Sequence, residues 1–135
     1  TMPSGYTKAT ARNTSGTADI TDTLFMGFST TERGGAILLN GRTIDKIRAD
    51  FIGNSSSNGE GSGAIGLKGA SRINNLIGDF IYNRATVENG GALNKGGTST
   101  VGNLIGNFIG NYAQGAGGAI YTRNNFDSKS IHVRK

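Results

Sequence analysis

The chain of 135 residues contains no cysteine, no tryptophan, one proline and one histidine. Without cysteine it can form neither a disulfide bond nor a thiolate metal site, and it has no cysteine nucleophile. A single proline and the lack of a Gly-X-Y period exclude a collagen helix and a proline-rich linker. The histidine, His132, has no neighbouring nucleophile or second metal ligand in the sequence, so we expect a solvated side chain.

Charged residues are also scarce, at 17%, and the polar positions are mostly Asn, Ser, Thr and Gly, which is typical of secreted β-rich proteins. The net charge is +5, but the basic residues are scattered and lack interleaved stacking aromatics, so we expect no nucleic-acid partner. No apolar run has the length of a membrane-spanning helix. The first residues lack a signal-peptide hydrophobic stretch, and Thr1 before Met2 suggests a processed or excised piece.

Two short words recur along the chain with one period. In the first word, Gly-Gly-Ala-Ile or a close variant, the alanines are 28, 28 and 27 residues apart: Ala36, Ala64, Ala92 and Ala119. In the second word, Phe-x-x-Asn, the phenylalanines are 29 and 28 residues apart: Phe51, Phe80 and Phe108. Two words locked to one period predict a repeat architecture.

The spacing inside each repeat predicts strands. Leu76, Gly78 and Phe80 alternate with other residues, and period two places such side chains on one face of a strand. A repeat of about 28 residues buries a face only by stacking on its neighbours. We therefore predict an all-β fold, a short right-handed parallel β-helix of about four coils with 27–29 residues per coil.

The predicted repeats cover residues 20–122. Residues 1–19 are interpreted as an N-terminal cap or flexible arm, and residues 123–135 as a C-terminal cap or charged tail. Charges at an exposed last coil would block strand addition. If the ends are not capped, end-to-end self-association follows.

Two structural ladders are expected along the stack. Phenylalanines would stack in the interior at Phe25, Phe51, Phe80 and Phe108. Asparagines would form hydrogen bonds from coil to coil at Asn54, Asn83 and Asn111.

The paired words resemble the repeats of chlamydial polymorphic outer-membrane proteins and the passenger domains of other bacterial autotransporters. The resemblance rests on Phe51–Asn54, Phe80–Asn83 and Phe108–Asn111, together with the four Gly-Gly-Ala words. Two departures are Phe28, where the pattern expects asparagine, and Ser62, where it expects glycine. The resemblance implies a β-helical module displayed on the bacterial cell surface or secreted, often as an adhesin. A host glycan or protein would be its partner.

Three sets of residues are candidates for chemistry. Glu32, Glu60 and Glu88 recur every 28 residues, and stacked coils would align their carboxylates into a column that invites a cation. The other reading of these residues is solvated turns without a metal.

Asp50 and Asp79 precede two of the stacked phenylalanines and should point outward from adjacent coils. Paired carboxylates at that spacing would suit a polysaccharide-cleaving enzyme of the pectin-lyase-like kind. The third coil has Asn107 at this position, and the central repeats stay regular. We therefore expect no enzyme and no cofactor.

Tyr82, Arg84 and Tyr112 are the candidate binding residues, because exposed tyrosines beside a cation suit sugars or protein surfaces. The sequence thus favours an adhesin-type binding or scaffold module. The alternatives are the polysaccharide-cleaving enzyme and a purely structural stalk segment.

Overall fold

A computed structural model describes residues 7–8, 12–14, 19–31, 34–58, 62–87, 89–122 and 130–134; for 7–8, 12–14, 22 and 130–134 it describes the backbone alone. These residues form strands and turns, and none of them is helical. The strands in chain order are β1 (Thr7–Lys8), β2 (Arg12–Thr14), β3 (Ile20–Met26), β4 (Ser29–Thr30), β5 (Ile37–Asn40), β6 (Thr43–Ile52), β7 (Ser55–Ser56), β8 (Ile65–Lys68), β9 (Arg72–Ile77), β10 (Phe80–Ile81), β11 (Arg84–Ala85), β12 (Leu93–Lys95), β13 (Thr100–Ile109), β14 (Tyr112–Ala113), β15 (Ile120–Thr122) and β16 (Ser130–Arg134).

The strands build three parallel sheets, and from β3 onward the chain passes through sheets A, C and B in that order on each turn. Sheet A contains β1, β3, β6, β9, β10, β13 and β16; sheet C contains β4, β7, β11 and β14; sheet B contains β2, β5, β8, β12 and β15. Every strand pairs with its counterpart one turn away, as Phe80 does with Phe51 and Phe108. Phenylalanine recurs in four neighbouring strands of sheet A, and about three turns of the β-helix separate the first of these strands from the last. The predicted short parallel β-helix is confirmed.

Strand pairing extends beyond residues 20–122 at both ends. β1 pairs with β3 and β2 pairs with β5, while β16 pairs with β13 over five residues. The sheets therefore continue into both predicted terminal segments. Whether these segments serve as caps, and whether the stack associates end to end, stay predictions.

The phenylalanine ladder forms the centre of the core. The rings of Phe25, Phe51 and Phe80 stack with centroids 4.9 Å apart and planes within 5°, and Phe108 follows at 4.6 Å. This separation equals the strand spacing of about 4.8 Å, so backbone pairing and ring stacking require the same geometry. The predicted ladder is present in all four coils.

The asparagine ladder lies beside the rings at the corner between sheets A and C. The side-chain amide of Asn83 donates to the carbonyl of Phe51 at 2.9 Å and to Oδ1 of Asn111 at 2.9 Å. Oδ1 of Asn83 accepts from the backbone N–H of Asn54 and from its side-chain amide, both at 3.0 Å. Asn83 is fully buried, so these bonds satisfy polar groups that have no access to water. In the first coil Phe28 replaces asparagine, and only its N–H joins the ladder, donating to Oδ1 of Asn54 at 3.1 Å.

The Gly-Gly-Ala words form the turn that leads into sheet B. A Cβ added to Gly63 would lie 1.9 Å from the carbonyl oxygen of Gly91, so adjacent coils touch backbone to backbone here. Both Ala64 and Ile65 are fully buried, and their N–H groups share the carbonyl of Ala92. The departure at Ser62 has its own partner, since its hydroxyl donates to the same carbonyl at 2.7 Å.

One core column of sheet B changes from apolar to charged. Leu39, Leu67 and Lys95 occupy equivalent positions in successive coils, and Lys95 is 1% exposed. Lys95 pairs in register with Leu67 on one side and Thr122 on the other, and a buried lysine is costly unless its ammonium is paired. The stack therefore tolerates a charge at a position that two coils fill with leucine.

Candidate functional site

Tyr82 has a backbone conformation that tyrosine rarely adopts. Its φ is +55°, and of the described residues it is the only one other than glycine with a positive φ. Strand register aligns it with Gly27, Gly53 and Gly110, whose φ values are +72°, +66° and +62°. A bulky residue in this left-handed region costs about 1–2 kcal/mol. The turn geometry is therefore the one that its glycine equivalents accept without strain, and Tyr82 is the exception.

The strained tyrosine is also highly exposed. Tyr82 has 64% of its surface open to solvent, and its N–H donates to the carbonyl of Ile109 at 2.9 Å. Its ring lies over Gly110, because a Cβ added there would lie 2.3 Å from the ring carbon Cε1. Glycine at residue 110 thus provides the space into which the Tyr82 ring leans.

Arg84 and Tyr112 stand next to each other beyond this turn. They pair in register on β11 and β14, and the guanidinium carbon of Arg84 lies 5.2 Å from the centroid of the Tyr112 ring. This is a cation–π contact. Arg84 is exposed, Tyr112 is 48% exposed, and within the ranges the structure describes no carboxylate pairs with Arg84. The three predicted binding residues therefore lie on adjacent coils. We refer to Tyr82, Arg84 and Tyr112 as the Tyr82 corner.

Apolar side chains border the Tyr82 corner on the side of sheet A. Ile109 precedes Gly110 and is 38% exposed, and Ile105 on the same strand is 42% exposed. Beyond β11, Val87 is 48% exposed.

Asp50 and Asp79 lie on adjacent coils, as predicted, and both are half-buried. Oδ1 of Asp50 accepts from the backbone N–H of Asp79 at 2.9 Å. Oδ1 of Asp79 in turn accepts from the side-chain amide of Asn107 at 2.8 Å. Each carboxylate therefore accepts a hydrogen bond from the next coil, which gives the pair a structural role. Asn107 occupies the equivalent position in the third coil, where its amide donates to Asp79. A catalytic role for the pair stays a prediction.

The predicted glutamate column, Glu32, Glu60 and Glu88, lies outside the described residues. Among the residues whose positions are described, no three His, Asp or Glu side chains gather as a metal site would require. His132 falls within β16. The described part of the chain also contains no helix long and apolar enough to cross a membrane.

Comparison with protein-family models, curated proteins and solved structures found no match to this chain. The resemblance to chlamydial outer-membrane proteins and autotransporter passengers therefore rests on the repeated words alone. Within the described residues, the Tyr82 corner is the surface that combines backbone strain, exposed aromatic rings and an unpaired cation.

The sequence contained a signal for the strained tyrosine that the repeat words obscured. Two of the Phe-x-x-Asn words read FIGN, whereas the word at residues 80–83 reads FIYN. Glycine at the third position indicates a left-handed turn, so the tyrosine that replaces it inherits that conformation. The buried Lys95 had a similar signal, because Leu39, Leu67 and Lys95 each lie three residues after a repeat alanine.

Proposed function

We propose that this chain is an adhesin-type binding module of a secreted or surface-displayed bacterial protein, and that it binds its partner through the Tyr82 corner. The β-helix acts as a rigid support, in which the turn between sheets A and C presents Tyr82 and the first residues of two sheet C strands present Arg84 and Tyr112. The resemblance to autotransporter passengers supports the bacterial and extracellular parts of this proposal.

The observation that carries the proposal is the exposed tyrosine in a glycine position. Glycine occupies the equivalent position in three other coils, so the turn itself does not require a side chain. A strained residue persists when the surrounding fold holds it and when its side chain is useful. Because Tyr82 is 64% exposed, that use is directed toward solvent rather than toward the core.

The composition of the Tyr82 corner also supports binding. Tyrosine and arginine are enriched among the residues that dominate binding energy at protein surfaces. The Tyr82 ring leans on the backbone of the following coil at Gly110, so it loses little conformational freedom when a partner arrives. A purely structural stalk would explain neither the strain at Tyr82 nor the exposed cation at Arg84.

The proposal is tested by binding of the purified, fluorescently labelled chain to epithelial cells. We expect saturable binding by the folded protein, none by a heat-unfolded sample, and a large loss in the Arg84→Gln variant. Arg42→Gln is the matched control, because Arg42 is an exposed arginine at the opposite end of sheet A. Equal binding by both variants and the unchanged chain would contradict the proposed site.

A further inference from the structure

The Tyr82 corner ends a shallow step in the surface. One coil before it, Gly53 occupies the position of Tyr82 and Ser55 occupies the position of Arg84. Gly53 is exposed, and a Cβ added there would meet nothing within 4 Å. The small residues of this coil therefore form an open floor next to the taller Tyr82 and Arg84.

The floor continues into the first coil with the same kind of residue. Gly27 and Ser29 are exposed and align with Gly53 and Ser55. A Cβ added to Gly27 also meets no atom within 4 Å. Adjacent coils are about 4.8 Å apart, so two coils provide a floor roughly 10 Å deep in front of the tyrosine.

The lean of the Tyr82 ring leaves this floor accessible. The ring packs toward Gly110, in the coil that follows, and the open space at Gly53 lies in the coil that precedes. One face of the ring is therefore directed away from its own packing contact. Arg84 pairs in register with Ser55 and so stands at the edge of the floor, while its guanidinium leans toward Tyr112 in the following coil.

From this geometry we infer that the step binds a saccharide that carries a carboxylate or sulfate group, an inference that rests on the proposed binding function. The apolar face of a pyranose ring packs on Tyr82. The serine hydroxyl and exposed backbone of the floor offer hydrogen bonds to sugar hydroxyls. Arg84 binds the anionic group, because a guanidinium fork matches carboxylate and sulfate oxygens and has no carboxylate partner in the described chain.

A polar floor favours a sugar over a protein as the occupant. Protein interfaces bury an apolar centre, whereas the floor of the step consists of glycine and serine. The exposed isoleucines, Ile105 and Ile109, lie on the sheet A side of the corner and not on the floor. A partner that used those isoleucines would be insensitive to filling the floor, and this difference provides the test.

The test uses an array of uronic-acid, sialylated and sulfated oligosaccharides, each beside its uncharged counterpart. We expect binding to at least one acidic member to be about tenfold stronger than to its counterpart, and to weaken with salt. Arg84→Gln should remove this difference. Tyr82→Gly should reduce binding to all members.

A matched pair of substitutions tests the floor. Gly53→Asn fills the open space while asparagine tolerates the left-handed backbone. Gly41→Asn is its control, because Gly41 has a φ of +70° and equally open surroundings but lies on the turn before β6. We expect about tenfold weaker binding for the first variant and no change for the second, with both folded by circular dichroism.

Two results would overturn the inference: equal binding to charged and uncharged saccharides, or equal binding by the two asparagine variants. Cell binding that requires Arg84 but is indifferent to acidic saccharides and to Gly53→Asn would reject the saccharide and leave the proposed binding function standing. Absence of both cell and saccharide binding would reject both.

Discussion

Replacement of Tyr82 by glycine or alanine separates backbone strain from side-chain packing. Both substitutions remove the ring from Gly110 and from solvent. Only glycine relieves the left-handed conformation, since alanine at a φ of +55° keeps the steric clash of a Cβ. We therefore expect Tyr82→Gly to be more stable than Tyr82→Ala.

Three contributions determine the change in the free energy of unfolding of the two variants. Tyr82 is 64% exposed, so about 70 Å² of its side chain is covered, and losing that contact costs both variants about 1.8 kcal/mol. Strain relief returns about 1–2 kcal/mol to the glycine variant alone. The greater freedom of glycine in the unfolded chain removes about 0.5–1 kcal/mol of that gain. With the middle of each range, the glycine variant should lie about 1 kcal/mol below the unchanged protein and about 0.75 kcal/mol above the alanine variant in free energy of unfolding.

The assay is urea denaturation followed by far-UV circular dichroism, with the three proteins compared at a common denaturant slope. Binding is measured on the same samples, and both variants should lose it. If the Tyr82→Ala variant is as stable as the Tyr82→Gly variant, the turn does not strain Tyr82. The reason for assigning a function to this tyrosine would then be lost. If the glycine variant binds as well as the unchanged chain, the side chain is not the contact.

Three further substitutions test the parts of the fold that support the site. Asn83→Ala removes buried hydrogen bonds to two coils and should lower the free energy of unfolding by about 2–4 kcal/mol, measured by urea denaturation. Its control is Asn40→Ala at an exposed position, which should change that free energy by less than about 0.5 kcal/mol. Equal effects of the two substitutions would contradict the asparagine ladder. Gly63→Ala places a methyl group 1.9 Å from the carbonyl oxygen of Gly91 and should abolish the cooperative unfolding transition, so a transition like that of the unchanged protein would refute the close backbone approach. Lys95→Leu restores the leucine of the two preceding coils but deprives the partner of the buried ammonium of its bond, so it should lower the free energy of unfolding by about 1–3 kcal/mol; an unchanged or higher value would mean that desolvation of the ammonium outweighs its contacts.

The ladders were predictable because they follow directly from the period. Phe51, Phe80 and Phe108 recur at the spacing of one turn, and identical residues one turn apart must stack when the strands pair in parallel. The orientation of the Gly-Gly-Ala words was not predictable, because alternation allowed either Ala64 or Ile65 to face the core. Both are buried, since the chain turns sharply between them and the period-two rule does not hold at a corner.

Some features of the candidate site were predictable from the sequence and others were not. Tyr82, Arg84 and Tyr112 could be selected from the sequence by residue type, but their proximity depends on register. Arg84 faces Tyr112 because one repeat spans 28 residues between these positions, and the contact is lateral rather than along the chain. The pair Asp50 and Asp79 was predicted to be adjacent and is so, yet their hydrogen bonds to the following coil could be found only in three dimensions.

The sequence by itself determined the period, the parallel stacking and the identity of the core ladders, because each is a property of residues that recur at regular intervals. The glycine in the FIGN words also indicated the left-handed turn that Tyr82 occupies. Tertiary structure alone decided that the Tyr82 ring leans on Gly110 and that an open floor lies beside it at Gly53. The physical reason is that contacts between coils depend on the register and twist of the stacked strands, which neighbours along the chain do not determine.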